Sequence, residues 1–307
     1  MEPVRLEIAP EVNLDYVRSD KFKTGTLSVQ LITPINEKTA SFGALLPSVL
    51  RRGTMPHPDM RSLSTALDLL YGSSIGCTVR KKGENQCIGF AASFIDEEFV
   101  PGGEKLLEPM CDLLGELLLD PVTRNGRFLN DYVESEKQNL IDAIRGIIND
   151  KRDYADARLL QEMCRGERYG IDRLGTVTGV ERLTNQTLYR YYSELLATAR
   201  IELFYCGSAD CAPPRGGCTA RGVRGPAARR PGGAERTGAP GGPVRAALRD
   251  RDDGRDAGEA RHGLPRRERG HARAAAGEPH LRRLLQLQAV SERARKAVAV
   301  LLLLKYM

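Results

Sequence analysis

The 307 residues carry 46 Lys or Arg against 40 Asp or Glu, a formal net charge of +6. The excess is unevenly placed: residues 211–307 hold 21 basic and 9 acidic residues and are +12, which leaves 25 and 31 in residues 1–210, a net of −6. The first 210 residues are therefore not expected to hold a polyanion, and they are long enough for one sizeable core. No basic start followed by an apolar core opens the chain, and no apolar run reaches the roughly 18 residues of a membrane span.

Arg5–Ile8 and Thr26–Thr33 read as strands, the second with the alternation of a half-buried sheet. Ala40–Arg52 has helical spacing of Phe42, Leu45, Leu46 and Leu50 and stops at Gly53. Asp59–Tyr71 is a second helix, with Leu63, Leu67 and Leu70 on one face and Gly72 as its stop. Ser74–Arg80 and Gln86–Phe94 pair as strands through the polar turn KKGEN. Gly103–Leu119 and a long, charged Asn130–Cys164 follow as helices. Thr184 or Asn185 caps a helix through Leu196, and Ile201–Cys206 is a final strand. Strands interleaved with helix pairs predict an α+β fold, a mixed β-sheet covered by helices. Cys77, Cys87, Cys111, Cys164 and Cys206 show no CxxC pairing, the pattern of scattered reduced thiols in a cytoplasmic protein.

Beyond residue 210 the vocabulary changes. From Cys211 to Val290 there is no Lys, Asn, Ile, Phe, Tyr, Met or Ser, and the stretch is mostly Arg, Gly, Ala, Pro, Leu, Asp and Glu. Natural disordered tails favour Ser, Lys, Glu and Gln, whereas GC-rich codons read out of frame yield this composition. With wobble bases chosen freely, Pro279–Met307 back-translates in the +1 frame to RIYGGYSNSKLFLNVREKLSLCYYCSSI. Asp253–Arg266 gives TVATQGKLAMGFR. Both read as folded protein. The expected organisation is a domain over 1–210 and a low-complexity, frame-shifted and, as written, disordered Arg/Gly/Ala/Pro-rich tail over 211–307.

Three segments of the first part together resemble one half of an insulinase-type (pitrilysin-like) zinc peptidase. SFGALLPSVLRRGT, followed by a helix and LYGSS, is similar to the family's HFLEHMLFKGT helix. ERYGIDRLGTVTGVERLTNQTLYRYY is similar to HPYGRPVLGT…LTxxDLxxFY, with YG, LGT and LT…L in order. TARIELFYCGSAD is similar to the strand TPDNAVLVVVGDVD. The resemblance spans about residues 4–210, and the back-translated NSKLFLNVREKLSLCYY resembles the family's second half. It implies one half of a clam shell whose two halves close around a peptide chamber.

Active members carry an inverted HxxEH helix, whose two His reach one zinc ion while the Glu activates its water. A downstream Glu is the third ligand. Aligning Gly53-Thr54 with the family's GT puts Ala44, Pro47 and Ser48 at the His, Glu and His positions, and EKQNLIDAI puts Ala143 at the ligand Glu, beside Asp142. Pro47 is also expected to kink its helix. No catalytic, cofactor-binding or metal-ligating residue is expected, and no cofactor.

Other candidates read as structural. His57, the one histidine before the tail, sits between prolines and is expected to be solvated, as is the face bearing Glu134, Glu136 and Asp142. Glu136 matches an acidic position that the family has before its ligand. The FIDEE cluster, Phe94–Glu98, reads as a strand end. Ser48, Ser73 and Ser74 lack His or Asp partners, and GSSIG and GTVTG lack the P-loop arrangement. Tyr189, Tyr191, Tyr192 and Tyr169 read as core packing before peptide groove. The resemblance implies a catalytically silent homologue that supplies chamber wall and peptide contacts. Its expected partners are an HxxEH-bearing homologue, as a heterodimer, and a peptide; neither membrane nor nucleic acid is expected. Two other readings stay open: an active zinc metallopeptidase with a misaligned site, and nucleic-acid binding through the Arg-rich tail.

Overall fold

Leu27, Val29 and Leu31 alternate with Ser28 and Gln30 along β3 (Thr24–Pro34), and this two-residue period sends every second side chain to the core. The structure, a computed structural model, describes residues 3–209; the expected tail and its composition lie outside them. Six strands form one mixed sheet in the order β1-β2-β8-β3-β5-β4, with β1 Val4–Ala9, β2 Val12–Arg18, β4 Ser74–Lys82, β5 Asn85–Ile95 and β8 Arg200–Gly207. β2 and β8 run parallel and the other pairs antiparallel. β6 (Thr123–Arg124) and β7 (Arg127–Phe128) make a separate small hairpin. The mixed sheet with helices matches the predicted class.

One sheet face is the core. Leu14, Leu203, Val29 and Phe90 lie on it in register across four strands and are buried. Against it pack α1 (Ala40–Leu50), α3 (Leu107–Leu119) and α7 (Asn185–Thr198). Each fully buried Leu or Phe contributes roughly 1.5–3 kcal/mol, so this face carries most of the stability. α2 (Met60–Leu69) buries only Leu63 and Leu67; its Asp59 N-cap forms a capping box with Ser62. α4 (Asn130–Gly146) lies against α1, α5 (Lys151–Met163) buries no residue, and α6 (Val177–Glu181) is a single short turn.

Several elements differ from the sequence reading, among them β6, β7 and α6, which it did not contain. The long helix over 130–164 is broken at Ile147–Asp150, because the Asp150 carboxylate accepts from the backbone N–H groups of Arg152 and Asp153 and caps a new helix. The helix placed from Gly103 begins at Leu107, since Gly102 and Gly103 both have positive φ. β2 went unread: Val12, Leu14 and Tyr16 do alternate, but Asn13, Asp15 and Arg18 mask the run as a polar loop. Pro47 sits inside α1, which continues through it to Leu50.

The LGT passage explains itself in space. Gly175 has φ of +74°, and a Cβ there would fall 2.2 Å from Ser41 Oγ at the start of α1. Thr176 N–H donates to that same Ser41 Oγ at 3.3 Å. Buried Gln86 on β5 donates from Nε2 to Ala40 O at 3.0 Å and to Arg173 O at 2.6 Å, tying sheet, helix and loop together. Gly175→Ala combines a left-handed backbone with a collision and is expected to cost roughly 1–3 kcal/mol. A urea-unfolding midpoint unchanged from wild type would contradict this.

Candidate functional site

α1 and α4 lie side by side, so the positions that bear zinc ligands in active relatives can be located directly. Ala44 is buried at 4 % exposure, Pro47 is buried, and Ser48 is half-buried. Ala143 and its neighbour Asp142 are exposed on α4. The Asp142 carboxylate accepts from Gln138 Nε2 at 2.9 Å, one turn back on its own helix. An alanine methyl offers no lone pair, and proline offers no base. The residues present do not fit a zinc ion, and no group of three His, Cys, Asp or Glu able to hold a metal occurs among the described residues.

Other side chains occupy this region. Arg52, at the end of α1, donates from Nε to the Glu136 carboxylate and from Nη2 to Ser135 Oγ at 2.7 Å. Asn139 Nδ2 also donates to Glu136, at 3.2 Å. Glu136 is thus ion-paired with its side chain 14 % exposed, a correction to its place on a solvated face. Glu134 does fit that reading, exposed and paired with Lys137. The Arg52–Glu136 contact spans 84 positions in sequence, which no local pattern could reveal.

Cys77 on β4 faces α1, and its thiol donates to Pro47 O at 3.3 Å. Burial pushes this thiol up to about 11; Arg51 partly opposes the shift, and Glu136 reinforces it. Cys77 is therefore a neutral thiol at physiological pH and a poor nucleophile.

His57 differs from expectation. Its side chain is half-buried, with Nε2 3.8 Å from Glu116 Oε2 on α3, and its backbone N–H donates to Thr54 Oγ1 at 3.1 Å. Thr54 Oγ1 in turn lies 3.3 Å from Glu116 Oε2. The Gly53-Thr54 turn folds the proline-flanked loop back onto α3, which brings the imidazole to a buried carboxylate.

The remaining candidates are structural. Tyr192 donates from its buried hydroxyl to Leu118 O at 2.9 Å, Tyr191 packs on Phe42, and Tyr189 on Phe128. Burial raises the phenols of Tyr191 and Tyr192. Tyr169 instead lies at the surface beneath Lys81, whose Nζ is 5.0 Å from the ring centroid. Ser73 Oγ donates to Leu70 O at 2.6 Å, and Ser74 starts β4 at the surface. In FIDEE, Asp96 is buried at the end of β5 and accepts from the backbone N–H groups of Ser208 and Glu98. It ties the end of β8 to β5 as a strand-end anchor. GTVTG wraps the start of α1 through Gly175 and Gly179.

No protein-family profile matches the chain. It is 34 % identical over 194 residues to the "Probable inactive metalloprotease YmfF" of Bacillus subtilis (strain 168), a match covering 63 % of this chain and 46 % of that protein. The crystal structure of a conserved protein from Enterococcus faecalis V583 superposes with a TM-score of 0.63 at 26 % identity, over 68 % of this chain and 49 % of that one. A peptidase M16 inactive domain from Pseudomonas fluorescens shares the fold, with a TM-score of 0.53 at 14 % identity over 68 % and 47 % of the two chains. The sheet and its helices are therefore an M16-type half domain. The chain is thus similar to insulinase/pitrilysin-like peptidase homologues, among them a relative named as inactive. The match spans about half the length of these relatives.

The raised thiol gives a pH signature. Cys77 ionises near 9 in the unfolded chain and near 11 in the fold, so its stabilisation is complete below pH 9 and is lost between 9 and 11. The loss should reach roughly 2 kcal/mol. Urea titrations at both ends of that window should show a smaller fall for Cys77→Ala than for wild type. Equal falls would place Cys77 in water.

Proposed function

We propose that this chain is a catalytically silent peptidase homologue whose described lobe supplies chamber wall and peptide contacts to a catalytic partner. The observation that carries the reading is the pairing of an intact M16-type lobe with Ala44, Pro47, Ser48 and Ala143 where zinc chemistry would require His, Glu, His and Glu. The Arg52–Glu136 pair and helix packing hold α1 against α4, which supports a lobe that keeps its shape without a metal.

Edge strand β4 supports the peptide contact. Among the described residues β4 is an edge strand paired with β5, which leaves its other edge for an added strand, a common way to bind extended peptide. The partner in this reading is a homologue bearing HxxEH. Five free cysteines among the described residues fit the cytoplasm as the compartment, and no described helix is long and apolar enough to cross a membrane. The composition of residues 211–307 supports a frame-shift near residue 210, beyond which a second lobe would be encoded; resequencing across the codons for Phe204–Arg221 tests that reading.

Full-length protein alone is expected to leave a panel of peptides uncut, and to raise or redirect cleavage when mixed with an HxxEH-bearing homologue that it binds. Metal-dependent cleavage by the purified chain alone would refute the proposal.

A further inference from the structure

We propose that the open sheet face beside β4 selects acidic peptides, with Asp or Glu at alternate positions of an extended segment. The inference rests on the peptide-binding reading above and adds the chemistry of what is bound. Opposite the core face, the sheet carries an open groove of about 520 Å³. Register places its residues. Arg80, Cys87, Ile32 and Arg200 form one row across β4, β5, β3 and β8, and Thr78, Gly89, Gln30 and Glu202 form the next.

Charge in the groove is unbalanced. Arg5 binds both carboxylates present, Asp15 at 2.9 Å and Glu202 at 2.8 Å, and Arg200 also meets Glu202 at 3.1 Å. Arg80 and Lys82 line the same groove and have no ion pair among the described residues. Four cations against two anions leave a local excess of positive charge on a body that is net negative. Arg80 lies opposite Cys87 and Arg200 opposite Ile32 in the same row, so cations stand at both ends of that row.

The floor suits a flat, extended ligand. Gly89 presents no side chain, and Gln30 reaches across it to donate to Thr78 Oγ1 at 2.7 Å. That leaves Gln30 Oε1 buried without a partner among the described residues. A strand added to the free edge of β4 would turn every second side chain toward this face, level with Arg80 and Lys82. Lys81 points the other way, donating to Tyr169 O and Ile171 O. A long polyphosphate fits less well, because the net charge of −6 over residues 1–210 repels it beyond the local patch.

The test measures binding of full-length protein to fluorescent peptides carrying Glu, Ser or Lys at alternate positions. Two double variants, Arg80→Glu/Lys82→Glu and Arg80→Gln/Lys82→Gln, accompany wild type, with unchanged circular dichroism as the folding check. Wild type should bind the Glu peptide roughly tenfold more tightly than the Ser peptide. The Gln variant should level that difference and the Glu variant should reverse it. If Ser and Glu peptides bind alike, or the preference survives in both variants, the acidic selection is wrong while peptide binding stands. If no peptide of any charge binds, the underlying reading fails. Single-stranded RNA bound by wild type and lost in the variants would assign the groove to nucleic acid and overturn the peptide.

Discussion

Burial of α1 on almost every side is the constraint around which the rest of this lobe is arranged. Nine of its eleven residues are buried, so neither its apolar surface nor its terminal backbone groups can turn to water. Gln86 and the Gly175–Thr176 turn answer that need at the start of the helix, from elements far away in sequence. At the other end, the Arg52–Glu136 pair binds α1 to α4. Removing one member of that pair would leave a half-buried charge unmatched, a cost well above that of an exposed ion pair.

This arrangement separates the fold from the chemistry that relatives perform on it. None of the contacts that hold α1 needs a His or a catalytic Glu. Ala44 packs within the core, and Pro47 offers its carbonyl to Cys77 and to the backbone of Arg51, so the helix persists although one internal hydrogen bond is lost. A metal site can thus be lost while stability, which rests on the apolar sheet face, remains. The opposite sheet face is under a different demand. Its polar rows do little for the core, which frees them to contact another molecule.

The sequence made some of this legible and hid the rest for physical reasons. Local signals read well: the Thr184 cap, the β4–β5 pair and the apolar spacing of α1 all appear where periodicity and capping place them. The positions Ala44, Pro47, Ser48 and Ala143 could be located by spacing alone, because the motif they align with has fixed intervals along two helices. Three things were hidden. Asp150 as an N-cap was obscured by a charged stretch that reads as one helix. Strand β2 looked polar because Asn13, Asp15 and Arg18 interrupt its apolar residues, Asp15 lining the groove on the outer face. The partners of Glu136, His57 and Cys77 lie between about 30 and 90 positions away, and no period reports such contacts.

If the proposed reading holds, four side chains, Ala44, Pro47, Ser48 and Ala143, separate this lobe from one that binds zinc. Zinc titration of full-length wild type beside the variant Ala44→His/Pro47→Glu/Ser48→His/Ala143→Glu tests it most directly. Wild type should take up no stoichiometric zinc, and the variant should hold one ion tightly. Stoichiometric zinc on wild type, or a folded variant that still takes none, would contradict it.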